Sequence, residues 1–338
     1  MRSFLPDELL KEILAPALQV PDDSFTCITG RSPFSNYERS TSAYLLVCKD
    51  WLRVATPLLY GVVVLRSKAQ IQALEYALVS TPLLGGFIKK LRVESGYCAS
   101  LLHILKASRN LTDLCLSLEV YSHENMVSLS KGFSGIQVQR LIVCDPCQTN
   151  NLKIRALVEA ICHHIPKWPL AEFIFPTVSW GTWSRDRTTK FADALSQSKS
   201  IRVIRITSRH LSLYPAWIST LIKIPGVTKI IVNTVEAPHF QTYQNIWRDH
   251  PVVRIIGMHE SCSSHEPETV GQKQPLTKEW LKVLPENVWR EIIAYAMGIH
   301  ELEGTEFSER PIKWQDCFGP RYRGSLALVC RLFYKLCA

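Results

Sequence analysis

The sequence predicts an α/β chain in which short strands alternate with helices through the middle and a helical segment stands at each end. Three observations carry this. A spaced apolar triplet recurs eight times between Tyr60 and Met258. Helix-length apolar-and-polar stretches separate the triplets. A pattern led by Leu-Pro occurs at Leu5-Pro6 and again at Leu284-Pro285, and Val-Cys follows 42 and 45 residues after each proline, at Cys48 and Cys330.

Composition sets the limits. A hydrophobic share of 46% supplies a sizeable core, and 20% charged residues exclude a disordered chain. The net charge of +9 admits an acidic protein, nucleic acid or an anionic surface as partner without choosing among them. The longest apolar stretches, such as 58–65, are far short of the ~20 residues that span a bilayer, so no membrane partner is expected. Asp7, Glu8, Lys11 and Glu12 are unlike a secretory signal. The eleven cysteines then read as reduced, buried thiols, and the expected compartment is cytoplasmic and/or nuclear.

In chain order, Leu5, Leu9 and Ile13, with Leu14, recur at helical spacing and predict a short helix with one apolar face. Pro6 suits its first turn, Asp7 and Glu8 suit the positive end of its dipole, and Pro16 limits it. A polar loop follows from Asp22 to Ser42, and then a second helix over about 43–55 that stops at Pro57.

From Tyr60 the triplet reads apolar-x-x-apolar-x-apolar. The copies are Tyr60/Val63/Leu65, Ile88/Leu91/Val93, Leu111/Leu114/Leu116, Val138/Leu141/Val143, Leu170/Phe173/Phe175, Ile201/Ile204/Ile206, Val227/Ile230/Val232 and a worn Val253/Ile256/Met258. First positions lie 23 to 32 residues apart. Helices are predicted over 69–79, 99–107, 152–164, 188–196 and 217–224. One strand and one helix cannot bury an apolar face alone, whereas stacked copies share a core. The expected architecture is a leucine-rich-repeat-like solenoid of a divergent kind, with parallel strands inside an arc and helices outside. Residues 260–275 are polar and read as a linker. The divisions are therefore 1–58 (helical), 59–259 (solenoid), 260–275 (linker) and 276–338 (helical).

The terminal pattern adds a resemblance. Leu5-Pro6-x-Glu8-Leu9-Leu10-x-x-Ile13-Leu14, then Leu46-Val47-Cys48-Lys49-x-Trp51, resembles an F-box, and with the repeats the chain looks like an F-box protein of the type abundant in mushroom-forming fungi. The family implies a non-catalytic substrate receptor of a cullin–RING ubiquitin ligase. Its F-box docks on the Skp adaptor, and through it on cullin and RING subunits, while the repeats hold a protein substrate. Matched residue by residue, adaptor contact falls on Leu5, Pro6, Leu9, Ile13, Leu46, Val47, Cys48 and Trp51. Trp51 is the expected aromatic anchor. Against the family's spacing, 21–42 looks like an insertion of roughly fifteen residues. The C-terminal copy is more degenerate: Asn287-Val288 replaces the usual acidic-apolar pair and Phe333 stands for Trp51. It reads as vestigial or structural, with a truncated F-box as the other reading.

On such a solenoid the residues between the apolar marks face away from the helices. They form a stripe of Lys90, Arg92, Arg140, Ile142, Ile174, Arg205, Lys229 and Ile231, apolar in the middle and basic around it. This is the expected substrate surface, suited to an apolar anchor with an acidic rim; the plain alternative is an ordinary exposed sheet face.

Other chemistry is sparse. Cys144-x-x-Cys147 with Cys162, His163 and His164 lacks the second pair that a zinc shell needs, so no metal is expected. His259-Glu260 and His265-Glu266 read as solvated linker residues. The stretch Trp180–Arg187 reads as an ordered surface loop in preference to a base-stacking platform. No phosphate-binding loop or nucleophile elbow occurs, so neither an enzyme nor a cofactor is expected. The alternative function is a non-ligase repeat scaffold, or a nucleic-acid-associated protein, with a decayed F-box.

Overall fold

The computed structural model describes residues 6–28, 32–35, 41–121, 124–146, 150–176, 182–208, 215–234 and 250–257. The expected linker over 260–275 and the expected helical segment over 276–338 lie outside these residues.

The chain opens with α1 (Asp7–Leu18), a short α2 (Asp22–Thr26), a 3-10 turn (Thr41–Leu46) and α3 (Lys49–Gly61). Strand–helix units follow: β1 (Val62–Leu65), α4 (Lys68–Ser80), β2 (Lys90–Val93), α5 (Ser100–Ala107), β3 (Asp113–Ser117), α6 (Val127–Gly132), β4 (Arg140–Cys144), α7 (Leu152–His164), β5 (Glu172–Ile174), α8 (Thr182–Ser196), β6 (Val203–Ser208), α9 (Pro215–Ile222), β7 (Lys229–Thr234) and β8 (Val253–Gly257). The eight strands form one parallel sheet in chain order. Among the described residues, no helix is long and apolar enough to cross a membrane.

The apolar marks explain the sheet. Val63, Leu91, Leu114, Leu141, Phe173, Ile204 and Ile230 stand side by side across successive strands. With the third marks they face α4 to α9, whose Ile71, Leu101, Leu129, Ile154, Phe191 and Ile218 complete one continuous core. Local chemistry starts α4 and α7 within one residue of where the sequence places them, whereas α8 begins six residues before its expected start and α6 is not among the expected helices. Ser67 caps α4 by accepting from the Gln70 amide (3.3 Å), and Asn151 caps α7 by accepting from Ile154 (2.9 Å). Gly96 turns the chain after β2 at φ +83°, where a Cβ would lie 2.3 Å from the Lys68 nitrogen. Its amide and that of Tyr97 donate to the buried Glu124 carboxylate (2.7 and 2.9 Å).

Four expectations need correction. The eighth copy is offset by three residues: Val253, not Ile256, stands beside Ile230, and Ile255 beside Val232. Register therefore pairs Val253 and Ile255, two residues apart, with Ile230 and Val232, the places expected of Ile256 and Met258. The second helix is a 3-10 turn followed by α3, which runs through Pro57 to Gly61. Likewise α1 continues past Pro16. Both prolines are exposed, so water can replace the backbone bond that each removes. Finally, the loop over 22–42 contains α2, and both of its phenylalanines, Phe25 and Phe34, are buried.

Candidate functional sites

The first site is the helix pair. One face of α1, Leu10, Leu14 and Leu18, closes on Trp51, Ala55 and Leu58 of α3. Each buried leucine contributes roughly 1.5–3 kcal/mol. Asp7 at the start of α1 is ion-paired with Arg53 of α3, which lowers the carboxyl's pKa and fixes the ends together. The Cys48 thiol caps α3 by accepting from the Trp51 amide at 3.5 Å.

This packing sorts the expected adaptor residues. Leu5 lies outside the described residues. Pro6, Leu9 and Leu46 are exposed, Leu9 at 44% and Leu46 at 84%. Ile13, one turn beyond Leu9 on the same stripe, is half-buried. Val47 and Cys48 are half-buried against the helix-pair core. Trp51 departs from expectation. It is 8% exposed, belongs to that core and stacks on Tyr44 with ring centres 6.2 Å apart. The large indole fills the space between two helices and is no outward anchor. Leu52, next along α3 and 48% exposed, is an outward apolar residue that the sequence reading passed over.

The second site is the sheet face opposite the helices, where the expected substrate stripe lies. Most of that stripe is already covered. Phe25, fully buried, sits among Cys115, Ile142, Cys144 and Ile174, flanked by Val20, Ile28 and Val62. The Lys90 ammonium stands 5.7 Å from the centre of its ring. Asp22 accepts from Lys90 (2.6 Å) and from both terminal nitrogens of Arg140 (2.6 and 2.7 Å). The Arg140 guanidinium, and Lys90 beyond it, hold this carboxyl well below the usual carboxylate range. Arg92 is buried and donates to the carbonyls of Phe25 (2.6 Å) and Cys27 (2.9 Å), and to Glu94 (2.8 Å).

Residues 20–28 therefore cross β2 to β5 over Lys90, Arg92, Arg140, Ile142 and Ile174. The expectation of an open stripe is corrected at these five positions, because a Phe and an Asp of the same chain satisfy the apolar centre and the basic rim. Further along, Arg205 is paired with Glu172, Lys229 is half-buried and Ile231 is 3% exposed. One cue to the crossing was readable, Pro21-Asp22-Asp23, a helix-start signature inside the polar stretch.

The remaining motifs fall elsewhere. Cys144 lies 3.6 Å from Cys115 beneath Phe25, and its thiol is pushed up by that contact and by burial. Cys147 is outside the described residues, and so are the linker histidines. Cys162 and His164 stand on α7, where burial pushes the Cys162 thiol up to about 12. The stretch ending at Arg187 is corrected from loop to helix from Thr182 onward, and Arg187 is buried in an ion pair with Asp145. Compared with models of known families, with curated proteins and with solved structures, the chain matches none.

Proposed function

We propose that the chain is the substrate-recognition subunit of a cullin–RING ubiquitin ligase. In this reading the helix pair is an F-box that docks on the Skp adaptor, the stacked units are leucine-rich-repeat-like, and the sheet face opposite the helices takes a protein partner. The receptor positions its cargo and performs no chemistry of its own.

One observation carries the reading. The segment with the F-box-like sequence buries one face internally, yet keeps Leu9, Leu46 and Leu52 exposed. An adaptor groove takes an apolar helical face, and these leucines of the F-box-like segment supply outward apolar groups for it. The nucleic-acid alternative is disfavoured on the sheet face, because Lys90, Arg92, Arg140 and Arg205 each already bind a carboxylate of this chain.

The test is capture of purified Skp adaptor by the full chain. The Leu9→Asp/Leu46→Asp variant is expected to lose at least tenfold in recovered adaptor, with its melting temperature within about 2 °C of wild type, since exposed substitutions cost little. Equal recovery by wild type and variant overturns the reading.

A further inference from the structure

Helices α1 and α3 pack on each other directly, and a connection of roughly 2–8 residues is usual between packed helices. Here the chain from Gln19 to Cys48 separates them, and its first part crosses the far side of the sheet. Nothing in the helix pair requires that detour. The core between sheet and helices is a separate cluster that does not include Phe25.

The contacts along the detour are those of a bound peptide. A carboxylate sits between two cations, an aromatic ring three residues later enters an apolar bed, and a buried arginine grips the backbone carbonyls of Phe25 and Cys27. Backbone capture supplies sequence-independent affinity, and the acid and the ring supply selectivity.

We propose that this face, built by Lys90, Arg92, Arg140, Cys115, Ile142 and Ile174, is a peptide-recognition site for a protein segment carrying a carboxylate three residues before an aromatic side chain, and that residues 21–27 are the chain's own tethered copy of that ligand. A tethered segment competes at an effective concentration of millimolar order, so a partner must match the signature to displace it. The proposal rests on reading this face as the partner surface and is independent of adaptor docking.

The probe is a fluorescent peptide copying residues 18–28 with Cys27→Ser, titrated against the full chain by anisotropy. The Asp22→Ala/Phe25→Ala variant is expected to bind it at least tenfold more tightly than wild type. Adding Arg140→Ala should reverse the gain, and a peptide lacking the acid and the ring should not bind. A variant that melts cooperatively and binds no better than wild type, or that binds the altered peptide equally well, overturns the proposal. A second measurement covers a variant that fails to fold. Excess native peptide added to the wild-type chain should speed amide exchange within 22–28 at least tenfold, and unchanged exchange overturns the proposal. Adaptor capture by the same variants is scored separately, so failure of either reading leaves the other interpretable.

Discussion

At the scale of single residues, Trp51 and Leu46 are five positions apart and opposite in consequence. Trp51→Ala leaves a cavity between α1 and α3 and should cost about 3–5 kcal/mol in urea denaturation. Leu46→Asp alters a side chain 84% exposed and should stay within about 0.5 kcal/mol. Loss of adaptor binding in a Trp51 variant would thus report unfolding, while loss in a Leu46 variant reports the surface. The Arg187–Asp145 pair follows a different rule. Both side chains are about 5% exposed or less, so removing one takes the opposite charge away from the other where water screens little. Arg187→Ala should lower stability by about 3–5 kcal/mol, and replacing both partners with apolar residues of similar volume should recover most of it. Nothing in Trp180–Arg187 announces a buried arginine, because its partner Asp145 lies on another unit.

At the scale of elements, legibility followed periodicity. The strands of seven copies were readable because two apolar marks per strand must face the helices at fixed register. Helix α7 has the ends expected for it, and the Asn151 side chain supplies its start. The eighth strand slipped because Val253, Ile255 and Ile256 are all apolar and only the neighbouring strand decides among them. Helix α2 was hidden for a related reason: a lone Phe among polar residues has no period, and its burial is decided by Ile142 and Ile174, far away in sequence. The crossing segment also carries a pH signature. Arg140 and Lys90 depress the pKa of Asp22 in the folded chain. The stabilisation is therefore fully present above the unfolded value of ~3.9 and is lost as pH falls through the lower folded value. The side chain is half exposed, which limits the contribution to under about 1 kcal/mol. Wild type should exceed Asp22→Asn by that margin in urea at pH 7, and the difference should vanish as acid protonates Asp22.

At the scale of the molecule, a sheet in chain order makes most strand contacts between neighbours, and such stacks are stabilised nearly unit by unit. The net charge of +9 acts at the same scale. If the cations of the sheet face are committed to internal carboxylates, binding to generic DNA should be weak, with a shallow log–log dependence between about 50 and 200 mM salt; a steep slope would favour the nucleic-acid alternative. The stacking order was legible in the repeat, whereas the crossing segment was not, since it disobeys the neighbour rule.

That disobedience has a mechanical corollary. Asp22 grips Arg140, 118 positions downstream, so the front of the chain is moored amidships and not only at the first strand. A pull on α1 would be shared between β2, through Lys90 and Arg92, and β4, through Arg140, and both grips would have to slip before the chain beyond Cys27 passed the load to β1.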